Sequence, residues 1–578
     1  MARKTGPNGP KLQIRKINGH FYAYTSTSMM VDGKKKTINE CVGRYDPETG
    51  VVTPKKPRKS KEEYERIRAE MTPAIDFSKI GTRSYGGVYM MDRLQRRLKL
   101  GEHLQKSFGA SANAIMTCGI AMAVNPGPFS SMEDMLNSYY LRDLYGTEIP
   151  VGSQDMSRFT NNIGRAGVCI DDFFSLRVNR CDGLVAWDTT TNGTHSDLDG
   201  MAEWAPNKDD DGLRVVKRAM ATDMRGVPLM YRFYPGSLSD LATVDRLESD
   251  IVRYGRDDAL FVMDRGFCSG GNIHAMIEKG RRFVIPVMTS FKAVKVLLTR
   301  FKSSKEKVNM VYDKHAYTVW KTEMGLKEVD RETVDGSKAY EMTVDGVDGH
   351  ASSGKLTAYV CYDSKKYSDE VQSRELMIDS LQEYARNMDE ANPVRAFRNH
   401  AGKAAKYFEI RAEGRKVVLT EKQNARTFND NRAGMFVMLC SDDVSWELMM
   451  AAYDARRLTE QAFDTEKSTD RRLRTGNAVT LEGRYFIQFI AQILRAEIRA
   501  TLRENDCDAK YTEEGLMATL STLNVLEYGG EKGLSEITKN VRGILKLFGV
   551  DAPSEPLYHV PIFDMQSYVA NSTLDTSE

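Results

Sequence analysis

The chain has 578 residues, 41% of them hydrophobic and 28% charged, with a net charge of only +2. That length exceeds one compact core and sets an expectation of three to five structural units. No run of eighteen apolar residues occurs, and "MARKTGPNGPKLQIRK" has no apolar stretch of signal-peptide length, so neither a membrane span nor an export signal is expected and the cytoplasm is the expected compartment. The eight cysteines, at 41, 118, 169, 181, 268, 361, 440 and 507, form no Cys-x-x-Cys pair, so neither a zinc ribbon nor a disulfide framework is supported.

Charge is unevenly spread. Residues 1–70 carry sixteen Lys or Arg against eight Asp or Glu, a footprint suited to a polyanion or equally to a basic tail. From 11 to 53, aromatic and β-branched residues alternate with polar ones between Gly, Asp and Pro turns, which predicts a small antiparallel sheet. "TPKKPRKSK" (53–61) reads as an extended basic linker. From about 88 to 180 apolar residues recur at three- and four-residue steps, predicting helices broken at Pro126 and Pro128.

At 184 the pattern changes. "LVAWDTTT" is an apolar run ending in an acid. Two strands joined at "DMRG" (223–226) follow, then a helix, then "ALFVMDRGF", a second apolar strand ending in an acid, then a helix and a strand. This order predicts an α/β fold with an open mixed sheet. Segments between 291 and 435 read mainly as strands and as a separate β-rich insertion. Strand and helix then return, and "LEGRYFIQFIAQILRAEIRATLRE" (481–504) reads as a core helix. A helix near 535–548 and an irregular tail close the chain.

On this reading Asp188 and Asp264 each end an apolar strand, and sites gather at strand carboxyl ends in open α/β sheets. Two such acids suit a hard cation, although aspartate after a strand is also a common turn or cap residue. In "DRGF", Gly266 permits close approach or a positive φ, and Phe267 could cover a site or stack. The stretch "YDARRLTEQAFDTEK" (453–467) supplies a third element. On a helical wheel Tyr453, Arg456, Glu460 and Lys467 fall within roughly 60° of one another, with Ala455, Leu458 and Ala462 opposite. Glu460 could complete a metal site, with Arg456 and Lys467 on phosphates; an i, i+4 surface pair of Arg456 and Glu460 is the simpler alternative.

The spacing Tyr453, Arg456, Glu460, Lys467 resembles the Tyr-Arg-Glu-Lys signature of DDE transposases of bacterial insertion-sequence family four. Asp188 resembles that family's first catalytic aspartate, and Asp264, with Gly266 and Phe267 after it, its second. "DMRGVPLMYRFYPGSLSD" (223–240) is similar to the segment between them, with Gly236-Ser237 where the family has Gly-Asn. The 196 residues from Asp264 to Glu460 suit the family's β-rich insertion, and the whole chain looks most like the sixteen-thirty-four branch.

The resemblance implies an RNase H-like core carrying Asp188, Asp264 and Glu460 as catalytic metal ligands for two Mg²⁺ (or Mn²⁺) ions, with Tyr453, Arg456 and Lys467 on DNA phosphates. It implies a division into a basic β-rich region (1–72), a helical end-binding or dimerisation region (73–180), a core in two parts (181–290 and 436–510) around the insertion (291–435), and a C-terminal region (511–578). The implied partners are transposon inverted repeats, target DNA and a second copy of the chain. Trp320 in "YTVWK" is the candidate counterpart of the aromatic residue that holds a flipped base in the family, and it reads more simply as a core residue. The cluster Asp209, Asp210, Asp211 reads as a solvated turn, and no Gly-x-x-x-x-Gly-Lys-Ser/Thr loop supports a nucleotide cofactor. A non-catalytic DNA-binding derivative and an RNase H-like nuclease without strand transfer are the competing readings.

Overall fold

The structure, a computed structural model, describes residues 12–31, 33–55, 60–71, 77–146, 149, 152–206, 212–332, 338–344, 353–441, 443–469 and 472–563. The acids at 209–211 lie outside the described residues. The chain divides into two compact units, Met1–Ile80 and Gly81–Glu578.

In the first unit β1 (Leu12–Ile17), β2 (His20–Val31), β3 (Lys34–Tyr45) and β4 (Val52–Pro54) form a four-stranded antiparallel sheet in chain order, followed by helix α1 (Lys61–Met71).

The second unit opens with β5 (Gly81–Ser84) and then helices α2 (Gly86–Arg97), α3 (Leu100–Phe108), α4 (Ala112–Val124), α5 (Met132–Ser138), α6 (Arg142–Tyr145), α7 (Ser153–Arg165) and α8 (Gly167–Asn179). Leu100–Val124 is long and apolar enough to cross a membrane, yet its most apolar window is 67% buried inside the protein. Strands β6 (Leu184–Thr194), β7 (Arg214–Thr222) and β8 (Pro228–Pro235) are followed by α9 (Val244–Arg253), β9 (Leu260–Met263), α10 (Gly270–Glu278) and β10 (Arg282–Pro286). Their spatial order is β8-β7-β6-β9-β10. The first three are mutually antiparallel, while β9 runs parallel to both β6 and β10.

Next come α11 (Lys292–Ser303), β11 (Val308–Tyr312), β12 (His315–Glu332), β13 (Lys338–Thr343) and β14 (Ser353–Asp363). Helices α12 (Ser364–Asn387) and α13 (Pro393–Ala401), the hairpin β15 (Phe408–Glu413) and β16 (Lys416–Glu421), and α14 (Gln423–Asp430) follow. Strand β17 (Met435–Cys440) then pairs antiparallel with β10 on one side and β14 on the other. The strands between 308 and 363 therefore extend the central sheet, in the order β11-β12-β14-β17-β10, with β13 on β12. They are not a sheet of their own, as the sequence pattern had suggested. β14 is apolar on both sides, with Ala358 and Val360 in one core and Tyr359 and Cys361 in another, as a strand inside a two-faced sheet must be.

The chain returns through α15 (Trp446–Thr469), the short β18 (Arg472–Leu473) beside β6, and α16 (Ala478–Glu504). Helix α16 is buried along most of its length and crosses α7 at Gly164 and Gly483, where a Cβ on Gly483 would stand 1.8 Å from the Thr160 carbonyl oxygen. Helix α17 (Glu513–Leu520), the hairpin β19 (Asn524–Tyr528) and β20 (Glu531–Leu534), and α18 (Lys539–Leu547) end the regular structure, with β19 pairing with β5.

The two sheet faces have separate cores. Val185, Trp187, Phe261 and Met263 face the larger one; Leu184, Ala186, Leu260 and Val262 face the smaller one, together with Met449, Ala452 and Ala455 of α15. Period-two alternation therefore directs Asp188 and Asp264 to the α15 side.

Candidate active site

Trp187 on β6 is in register with Met263 on β9, so Asp188 and Asp264 are next in line on adjacent parallel strands. Strand spacing sets their backbones about 4.8 Å apart. Asp264 follows the last residue of β9, but Asp188 is the fifth residue of an eleven-residue strand and does not end it. The strand continues because "TTTNGT" is rich in β-branched threonine and pairs with β7 as far as Thr194–Arg214.

Small residues let α15 lie close on this face: Ala452 and Ala455 are fully buried. The "DMRG" turn fixes its position. Gly226 has φ +77°, and a Cβ there would stand 2.7 Å from the Leu458 Cβ. Asp223 holds the turn by accepting from the amides of Arg225 (2.9 Å) and Val227 (2.8 Å). Beside it, the hydroxyls of Thr222 and Thr459 are 2.7 Å apart. The residue after Thr459 is Glu460, so the turn aims the third acid across the 196-residue gap.

Arg456 ties the strand acid to the helix acid. Its Nη1 is 2.7 Å from Asp264 Oδ1 and its Nη2 is 3.0 Å from Glu460 Oε1. The expected i, i+4 pair exists, and it is also a bridge to Asp264. Arg456 Cζ lies 5.7 Å from the centroid of the Tyr453 ring, which stacks on Phe436 at 6.0 Å and 12°. Burial pushes the Tyr453 phenol up from its ordinary pKa. Lys467 lies about two turns beyond Glu460 on α15 and is not among the residues lining the cavities described below.

Two cavities meet at Asp264. One, of about 460 Å³, is lined by Asp188, Asp240, Lys217, Gly266 and neighbours. Here Asp188 Oδ1 accepts from the Thr189 amide at 2.8 Å, while Asp240 Oδ1 accepts from Thr189 Oγ1 at 2.8 Å and from Lys217 Nζ at 2.6 Å. Lys217 also donates to the Leu238 carbonyl. The other, of about 700 Å³, holds Tyr453, Arg456 and Glu460. Its wall carries Arg265 and Lys295, and Lys366, Arg374, Lys406 and Arg432 from the segment before β17. Phe428, half-exposed, has the Arg432 guanidinium 3.6 Å from its ring centroid.

Two expected roles are corrected in part: the positive φ at Gly266 and the stacking of Phe267. Gly266 has no positive φ, and a Cβ there would meet only Asp240 Oδ2 at 3.8 Å, so its backbone is not one that demands glycine. Phe267 is 1% exposed in the larger core, which leaves no open ring face for stacking, while it still lines the smaller cavity beside Asp264. Trp320 is also core, 8% exposed, with Nε1 donating to Glu306 at 3.1 Å. Sequence reasoning missed Asp240, whose signal was its place closing the "GSLSD" loop. It also missed the basic wall, signalled only by Lys366, Glu370 and Arg374 at four-residue steps on α12.

The donor set suits a hard divalent cation: Asp188, Asp264 and Glu460 offer carboxylate oxygens, and two of them already converge on one positive charge at Arg456. Among the described residues no three acidic, histidine or cysteine side chains yet gather at one point, so joining all three acids around an ion requires the Arg456 bridge to open.

Two acids on adjacent parallel strands and a third on the covering helix define an acid-triad α/β core. The family model for the transposase DDE domain matches residues 179–491, over half of the chain, and the chain belongs to that family. With the family come a transposase function in general terms, an RNase H-like α/β fold, DNA as substrate and the use of divalent metal ions. No curated protein matches the chain.

Proposed function

We propose that this chain is a cut-and-paste transposase of insertion-sequence family four, most like its sixteen-thirty-four branch. It binds the terminal inverted repeats of its element, pairs two ends as a homodimer, cleaves at the ends and joins the freed 3′ ends to target DNA. It acts on the nucleoid in the cytoplasm of a bacterium or archaeon. The helical region 73–180 contributes end binding and dimerisation. The observation that carries this reading is the alignment of Asp188 with Asp264 under the helix whose Arg456 links Asp264 to Glu460.

Asp188, Asp264 and Glu460 are the residues that would hold two Mg²⁺ or Mn²⁺ ions. When bound, such ions activate the attacking water or 3′-hydroxyl and stabilise the leaving oxygen. The chain's own groups do the positioning. Arg456, released from its two carboxylates, turns its planar fork to a backbone phosphate, with Tyr453 packed beside it and Lys467 further along the strand. Lys366 and Lys406 neutralise phosphates along the larger cavity. Lys217 holds Asp240 against Thr189, which fixes the backbone next to Asp188.

The test is cleavage, with Mg²⁺, of a duplex carrying the DNA that flanks the gene. The wild-type protein is expected to cut at a defined end and to join pre-cut ends to plasmid DNA. Cutting without joining would reduce the reading to a nuclease. No cutting with intact DNA binding would reduce it to a non-catalytic derivative.

A further inference from the structure

In the first unit β2 and β3 pair along their whole length, from Phe21–Tyr45 to Val31–Lys34. β1 accompanies β2 only as far as Thr25, and β4 accompanies β3 only from Gly43. Beyond those points, among the described residues, 26–31 and 34–39 stand as a two-stranded ribbon with no further strand beside it, roughly 20 Å long at about 3.3 Å per residue. Residues 26–30 and 34–39 are all exposed, including Met30 at 68% and Ile38 at 48%. A hairpin with no layer behind it is marginal in water, so its length calls for a partner.

The ribbon is sorted by face. Ser26 Oγ donates to Asn39 Oδ1 at 2.7 Å, and the Ser28 and Thr37 hydroxyls are 3.2 Å apart on the same side. Met30 and Lys35 continue that side, while Thr27, Met29, Lys34, Lys36 and Ile38 take the other. The sequence 26–39 holds three lysines, Lys34, Lys35 and Lys36, and one acid, Asp32. Consecutive lysines on an edge strand oppose the addition of another strand, and they favour a polyanion.

We propose that the β2–β3 ribbon enters the major groove of DNA and reads base edges there. The groove, about 12 Å wide, admits a two-stranded ribbon. Ser26, Ser28, Thr37 and Asn39 supply donors and acceptors for base edges, Met30 on the same face meets thymine methyls, and the three lysines reach the flanking phosphates. The choice of DNA rests on the transposase reading, and two arms of the test keep the two claims apart.

The full-length protein is titrated by fluorescence anisotropy against a 30-bp random-sequence duplex across a salt series. Dimethyl sulfate protection is then mapped on the duplex that flanks the gene. The Lys34→Gln/Lys35→Gln/Lys36→Gln variant is expected to lower the salt slope by about 2 to 3 and to bind roughly tenfold more weakly. The matching lysine-to-arginine variant keeps the wild-type slope. Ser26→Ala/Ser28→Ala/Asn39→Ala is expected to lose guanine N7 protection, with the preference for flanking over random DNA falling about tenfold. Unchanged unfolding midpoints establish that the variants are folded, since these side chains are exposed. Wild-type slope and protection in the glutamine and alanine variants would overturn the ribbon alone. A changed sedimentation coefficient with unchanged DNA binding would overturn it in favour of self-association. A wild-type protein that binds neither duplex would overturn the transposase reading as well.

Discussion

The two cavities that meet at Asp264 are built oppositely. The smaller has three acids, Asp188, Asp240 and Asp264, against one cation, Lys217, and comes from the sheet and its adjoining loops. The larger has seven Lys or Arg against three acids, and four of its cations come from the segment between β14 and β17. An acidic pocket repels a phosphodiester, and a basic one attracts it. Their junction lets one region manage charge at the reacting bond while the other holds the strand. Asp264 is the shared residue, and Arg456 joins it to the helix acid on the basic side.

Removing any one of the three acids, Asp188 on the acidic side, Asp264 at the junction or Glu460 on the basic side, should have the largest effect. Asp188→Asn, Asp264→Asn or Glu460→Gln should each lower end cleavage by at least about 10³-fold, the several kcal/mol that metal chemistry supplies. Gel-shift affinity for the same duplex should change little, which separates cleavage from binding. Next comes the aim of α15. Gly226→Val combines a positive φ with collision against Leu458. It is expected to cost about 1–3 kcal/mol of stability, read by urea unfolding, and roughly 10²-fold in cleavage through a misplaced Glu460. Neutralising the basic side with Lys366→Gln/Lys406→Gln should weaken DNA binding and lower the salt slope by about 2, with cleavage of saturating DNA largely kept.

The smallest effect belongs to a group in the helical core. Burial, with repulsion from Arg177 and Arg180 added, pushes the His103 imidazole down to about 3. The unfolded chain therefore binds more protons, and stability is lost as pH falls below about 6.5, by up to about 1.4 kcal/mol per unit. His103→Leu should flatten that limb of the urea midpoint between pH 6.5 and pH 5 while leaving DNA binding in place.

The five strands from β6 to β10 were legible because apolar runs, turns and amphipathic helices alternate there without ambiguity. The fate of β11–β14 was not. Periodicity identifies a strand but not its neighbour, and β17 offers β14 an edge that no local pattern announces. The stripe on α15 was legible on a wheel, and its apolar back, Ala455 and Ala462, is the side that packs. That Arg456 would reach Asp264 depended on strand register, which lies beyond local periodicity. Phe267 shows the same limit from the other side. An aromatic four residues past a strand looks available for stacking, and the turn at Arg265–Phe267 carries it into the core.

The central claim is that Asp188, Asp264 and Glu460 act as one metal-binding centre. Exchanging the most distant acid for a softer ligand tests it most directly. End cleavage is measured for Glu460→Cys in Mg²⁺ and in Mn²⁺ or Cd²⁺. The account predicts loss of cleavage in Mg²⁺ and recovery with the thiophilic ions, because the residue at 460 touches the metal. Wild-type cleavage by Glu460→Cys in Mg²⁺ would contradict it.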